Sequence, residues 1–225
     1  MSEGASEGDN HDRGAILDPV SRFSEILFGL IMALGVTGSL SAATGRTADV
    51  KTIFWSAVGG NLAWGIVDAV MFILGQLAQR GQELRTLRGI RRANPDEGRR
   101  LLAAGASSVL ARSATPDAGA LEQERLHIVS LPEPESYARL TRADLVGALV
   151  VCCLVVVATL PVAVPFLLVH KIGPALRVSR VIAGVMLFLA GYAWGRAACY
   201  RPWGTGIAMA VLGFAMVAIT VALGG

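Results

Sequence analysis

Asn61, Gly65 and Asp68 lie in the second long apolar stretch of this 225-residue chain. Their spacing of i, i+4 and i+7 predicts that a helix presents them on one face. A carboxylate with a nearby amide oxygen suits a hard divalent cation, which prefers oxygen ligands. An ionisable residue inside a membrane span is costly and is therefore a candidate functional residue. The alternative use of Asp68 is structural, as a hydrogen bond or an ion pair with Arg196 in another span.

Glu25, Pro161 and Pro165 are further candidates for ion handling. Glu25 lies at the inner end of the first apolar stretch, where it could take up an ion or simply be stabilised by the dipole of the helix that begins there. Each proline lies in the third stretch, lacks an N–H and frees the carbonyl four residues before it. Broken helices with freed carbonyls coordinate ions in some transporters, although a simple kink is the commoner outcome.

No catalytic constellation accompanies these residues in the sequence. It contains no glycine-rich phosphate loop, no nucleophile elbow and no paired-histidine zinc motif. Its three cysteines lie in apolar runs without metal-site spacing: Cys152, Cys153 and Cys199. The sequence therefore predicts a protein that is not an enzyme and carries no bound cofactor.

Five long apolar stretches must position the candidate residues. Hydrophobic residue types make up 53% of the chain and charged types only 16%, whereas an ordinary soluble domain carries about 25% charged residues. About 20 apolar residues cross a hydrocarbon core about 30 Å thick. The expected spans are residues 23–44, 52–79, 145–169, 178–200 and 203–224. The predicted fold is an all-α membrane protein with a five-helix transmembrane bundle.

The chain divides into four predicted parts. Residues 1–20 are a disordered cytoplasmic tail, 21–79 hold helices 1 and 2, 80–143 form an Arg-rich cytoplasmic segment, and 144–225 hold helices 3 to 5. The Arg-rich segment is predicted to be partly helical, with residues 80–92 continuing the second helix and short helices at 99–112 and 119–129. Asp18-Pro19 predicts a helix start, and His170 to Pro174 predict a turn.

Lys and Arg counts predict the orientation. With a cytoplasmic N-terminus, the inside segments hold 15 of these residues and the outside loops hold 5. We therefore expect an integral protein of a bacterial inner membrane, with its C-terminus outside. Topology explains the arginine excess better than nucleic-acid binding does, so the expected partners are membrane lipids.

The pattern of spans resembles the vacuolar iron transporter family over nearly the whole membrane part. The stretch Glu25-Ile26-Leu27-Phe28-Gly29 resembles the family's E-I-V-F-G opening. Four further short matches complete the resemblance: Gly75-Gln76 with Gln82-Glu83-Leu84, Leu160-Pro161 with Pro165, Leu187-Phe188 with Gly191, and Gly224-Gly225. The resemblance implies a homodimer that exports iron or manganese from the cytosol, coupled to protons.

The chain departs from that family at its acidic residues. Met32-Ala33 stands where the family has an Asp-Gly pair, Gly75-Gln76 stands where it has Gly-Glu, and the cytoplasmic segment is rich in Arg rather than Glu. If Fe²⁺ or Mn²⁺ is transported, Asp68 with Asn61 must replace the missing acids, with Glu25 as a further ligand. The alternative is a non-transporting scaffold or regulatory protein that keeps the fold without the ion site.

Overall fold

The computed structural model describes residues 17–43, 49–105, 118–134 and 136–223. These residues form helices and no strand, in the order α1 (Pro19–Ala43), α2 (Val50–Arg92), α3 (Pro95–Gly105), α4 (Ala118–Ser130), α5 (Arg142–Ala163), α6 (Pro165–Leu168), α7 (Ile172–Ala197) and α8 (Pro202–Ala222). Five segments are long and apolar enough to cross a membrane: α1, α2, α5 with α6, α7 and α8. The all-helical class and the five membrane-length segments are thus confirmed.

Two helix boundaries in the structure can be compared with the boundaries predicted from the sequence. Helix α2 continues to Arg92, as the prediction for residues 80–92 required. Helix α7 begins at Ile172 rather than near residue 178. The predicted turn is therefore present at His170 and Lys171, but Ile172 to Pro174 are already helical. Proline is tolerated there because the first turn of a helix makes no internal N–H bonds. Most of the predicted tail, residues 1–16, and the end of the predicted helix 99–112 lie outside the described residues.

The chain forms two compact units, which are taken separately. The bundle comprises the described residues up to Phe72 and those from Arg142 onward, and the Arg-rich unit comprises those between Ile73 and Thr141. In the bundle, one face of α1 is buried at Leu27, Leu30 and Leu34 and packs against α5, α7 and α8. Large apolar side chains cover the outer faces of α5 and α8, as expected for helices that have lipid as their solvent.

The ends of two bundle helices are fixed by local hydrogen bonds. Asp18 caps α1, since the Ser21 backbone N–H donates to its Oδ1 at 3.0 Å and the Ser21 hydroxyl donates to its Oδ2 at 2.6 Å. The hydroxyl bond and then the backbone bond hold the pKa of Asp18 below its usual value. Helix α7 ends at Ala197. Two residues beyond it, Cys199 has a left-handed φ of 52°, and the Tyr200 N–H donates to the Gly195 carbonyl at 2.8 Å.

The Arg-rich unit is organised by arginine side chains. Glu122 of α4 accepts from Arg125 at 2.6 Å and lies 3.5 Å from Arg99 of α3. The Arg125 hydrogen bond lowers the pKa of Glu122, with smaller contributions from the charges of Arg125 and Arg99. Helices α3 and α4 are therefore joined by a charged contact as well as by packing.

Candidate functional site

Asn61 of α2 joins three helices of the bundle. Its side chain is 0% exposed, and its Nδ2 donates to the Gly29 carbonyl of α1 at 2.8 Å and to the Thr159 hydroxyl of α5. The Thr159 hydroxyl in turn donates to the Val155 carbonyl at 2.9 Å. We call this set of contacts the Asn61 junction. Because both amide hydrogens are used, the junction fixes the positions of α1, α2 and α5 relative to one another.

Two glycines allow the helix backbones to meet at the junction. A Cβ on Gly29 would lie 2.7 Å from the Val155 carbonyl oxygen, and one on Gly65 would lie 3.2 Å from both the carbonyl oxygen and the Sγ of Cys152. Small residues permit this close approach in membrane helix pairs. The opening stretch Glu25 to Gly29 therefore ends at a point where α1 can tolerate no side chain.

Asp68 follows Asn61 and Gly65 on the same face of α2, as predicted from their spacing. The residue is half-buried, and its Oδ2 is buried with no hydrogen-bond partner among the described residues. Seven residues at 1.5 Å each separate Asn61 and Asp68 by about 10 Å along the helix. Asn61 is therefore placed to hold the helices together rather than to share an ion with Asp68.

Glu25 is the second acidic residue of the site. It is half-buried on α1, one turn before Gly29, and it lies within range of the charge of Asp68. The Cys152 thiol of α5 lies within range of the same carboxylate. The structure thus brings Glu25, Asp68 and Cys152 from three helices toward one another. Two neighbouring carboxylates at low dielectric oppose each other's ionisation unless a cation or a proton neutralises them.

The predicted partner Arg196 does not pair with Asp68. Arg196 is exposed on α7, and in the part of the chain that the structure describes no ion pair joins the two. The ion-pair alternative for Asp68 is therefore not realised. Which side chain meets Asp68 depends on the rotation of α7 about its axis, and an apolar helix sequence does not specify that rotation.

The two prolines do not bring free carbonyls to the site. Pro161 is exposed on α5, and Val157, whose carbonyl it leaves without an N–H donor, is 60% exposed. Pro165 is buried at the first turn of α6, where a missing N–H costs little. Among residues 17–43, 49–105, 118–134 and 136–223, no three His, Cys, Asp or Glu side chains converge as a ready-made metal site.

Thr159 and Cys152 are the site residues that the sequence did not reveal. Each is a small residue in an apolar run, so neither stands out by its charge or its spacing. Thr159 acquires its role only because Asn61, 98 residues away, reaches it. For Thr159, the sequence offered one signal, a hydroxyl side chain two residues before a proline.

The fold and the site define an all-helical protein with five membrane-length segments and a polar junction between three of them. No protein-family model matches the chain, and no curated protein matches it. The resemblance to vacuolar iron transporters therefore stays a prediction.

Proposed function

We propose that the protein carries a divalent metal cation across the membrane, with Asp68 and Glu25 as the carboxylates that hold it. The observation that supports this most directly is the buried Oδ2 of Asp68, which has no hydrogen-bond partner among the described residues and lies within electrostatic range of the Glu25 carboxyl group. An unpaired charge removed from water costs several kcal/mol, of the order of 3–5 when a buried pair is broken. A bound cation or a proton offsets that cost.

Oxygen ligands of this kind suit Mn²⁺ and also accept Fe²⁺, and these are the ions that the family resemblance implies. The ionised carboxylates bind the cation, and their protonation releases it, so metal movement is exchanged for protons. Export from the cytoplasm and a homodimeric assembly also follow from the resemblance. The Cys152 thiol adds a softer ligand near Asp68, which favours iron over magnesium or calcium.

Manganese flux into proteoliposomes tests this proposal through Asp68→Asn. The amide keeps the shape of the side chain but has no charge to bind the cation or proton to exchange, so we expect flux to fall at least about tenfold, equal to about 1.4 kcal/mol of lost interaction.

The matched control is Asp49→Asn, which removes an exposed acid just before the same helix, away from the site. Its flux should equal that of the unaltered protein. Equal flux for the Asp68→Asn protein, with the protein folded and inserted, would refute the proposed mechanism.

One observation favours the non-transporting alternative. The described residues contain no three converging acid, histidine or cysteine side chains. Water or other oxygen atoms would therefore have to complete the coordination of any bound metal. This alternative predicts that vesicles with the unaltered protein take up no more manganese or iron than protein-free vesicles. It also predicts that a deletion strain tolerates a metal load normally.

A further inference from the structure

Arginines of α2 hold the chain that follows α4 in the Arg-rich unit. Each donates a guanidinium N–H to a backbone carbonyl of that chain: Arg80 to Arg139 at 2.9 Å, Arg88 to Ser136 at 2.8 Å, and Arg91 to Leu131 at 2.7 Å and Pro132 at 3.1 Å. Arg91 also reaches the Ile128 carbonyl at 3.3 Å and so caps the last turn of α4. The arginines are thereby held in defined positions on one face of α2.

A cleft of about 670 Å³ opens beside these contacts. Arg88, Arg91 and Arg92 line one side of it, and Glu133 and Tyr137 line another. Its volume lies within the range of about 300–1,000 Å³ that is usual for small-molecule sites. The described side chains around it carry three positive charges and one negative charge, which favours an anion and disfavours a metal cation.

Two of the arginines retain donors that can reach a ligand. Arg91 uses only its Nη1 for the carbonyl bonds, so its Nη2 and Nε have no partner among the described residues. The Arg92 side chain is exposed and makes no hydrogen bond or ion pair within the described part of the unit. Glu133 forms no ion pair there either, so it does not occupy these donors.

We propose that this cleft, which we call the arginine cleft, binds a phosphate-bearing anion. A guanidinium presents a planar fork of donors that matches two phosphate oxygens. Arg91 is already oriented by its carbonyl bonds, so little side-chain freedom is lost when it binds. Tyr137 is 80% exposed at the rim and offers a ring and a hydroxyl to the organic part of a phosphate ester. This proposal is independent of metal transport.

Pyrophosphate titration of the full-length protein in phosphatidylcholine nanodiscs tests the arginine cleft by calorimetry. We expect saturable binding that Arg92→Gln weakens about tenfold, because one charged, bidentate contact is lost. Arg92→Lys should be weakened less, since it keeps the charge but not the fork. The control Arg85→Gln removes an exposed arginine of the same helix outside the cleft, and its affinity should match that of the unaltered protein.

Repeating the titration in nanodiscs containing phosphatidylglycerol identifies the source of the phosphate. If pyrophosphate binding is lost in the phosphatidylglycerol discs but kept in the phosphatidylcholine discs, a lipid headgroup occupies the cleft. If binding is the same in both, the ligand of the cleft is a soluble phosphate compound. Either result supports the proposal. It is overturned by the lack of saturable binding in both kinds of disc, or by equal affinities of the Arg92→Gln and Arg85→Gln proteins when both melt like the unaltered protein.

Discussion

Replacing Gly29 by alanine tests the Asn61 junction directly. The added Cβ would lie 2.7 Å from the Val155 carbonyl oxygen and 3.1 Å from the Val155 Cα, whereas ordinary contacts begin at 3.4 Å. Both obstructing atoms belong to the backbone, so no side-chain rotation can relieve the clash. Helices α1 and α5 must therefore move apart, and this movement also stretches the hydrogen bond from Asn61 to the Gly29 carbonyl.

The size of the effect follows from three contributions. Overpacking of this kind costs about 1–3 kcal/mol, and weakening a hydrogen bond between membrane helices costs about 0.6 kcal/mol. The higher helix propensity of alanine offsets about 1 kcal/mol of this loss. The expected net loss of unfolding free energy is therefore about 0.6–2.6 kcal/mol.

Unfolding in mixed micelles of increasing sodium dodecyl sulfate content, followed by helical circular dichroism, measures this loss. Gly35→Ala is the matched control, because a Cβ on Gly35 of the same helix meets no atom within 4 Å. The control should be as stable as the unaltered protein, or more stable by up to about 1 kcal/mol. If Gly29→Ala is as stable as Gly35→Ala, the contact between α1 and α5 is not as close as described and the reasoning fails.

Two further predictions concern helix ends of the bundle. Cys199→Gly should raise the unfolding free energy by about 0.5–1 kcal/mol, because glycine adopts the left-handed φ without strain; Cys199→Ala should bring no gain in the same assay. Asp18→Ala should cost about 1 kcal/mol at neutral pH through the lost cap. The lowered folded pKa of Asp18 means that its contribution is complete above its unfolded pKa of about 3.9 and is lost as the pH falls through the folded value. Unfolding measured at falling pH should show the deficit of Asp18→Ala shrinking below about pH 4, and a constant deficit would contradict the assignment.

The features that could be predicted from the sequence are those that depend on a single helix. The five membrane-length segments, the continuation of α2 to Arg92 and the shared face of Asn61 and Asp68 all follow from composition and helical periodicity. Contacts between helices did not follow, because they depend on how each helix is rotated and where it crosses its neighbours. Thr159 was therefore missed as the partner of Asn61, and Arg196 was proposed as a partner of Asp68 that the structure does not provide.

The arginines also show that sequence composition does not specify which groups a side chain binds. Their excess in residues 80–143 predicted the orientation of the protein, with membrane lipids as the expected partners. The structure shows that several of them also bind within the unit, to carbonyls of the same chain and to Glu122. A guanidinium with five donors can serve a carbonyl and an external anion together, and composition alone does not distinguish these uses.

Asn61 and Asp68 lie on one helix face, yet leaving an oxygen unpaired costs a different amount of free energy at each residue. The Oδ1 of Asn61 is also buried with no partner in the described part of the chain. It belongs to a neutral amide whose two N–H groups are bonded, so leaving it unpaired costs about 1–3 kcal/mol. An ionised Asp68 costs more, and an asparagine there would avoid the charge at almost unchanged volume. The acid is therefore the costlier choice for packing alone. Under the proposed function, a bound cation or proton offsets that cost, and alternation between those two states is the exchange that transport requires.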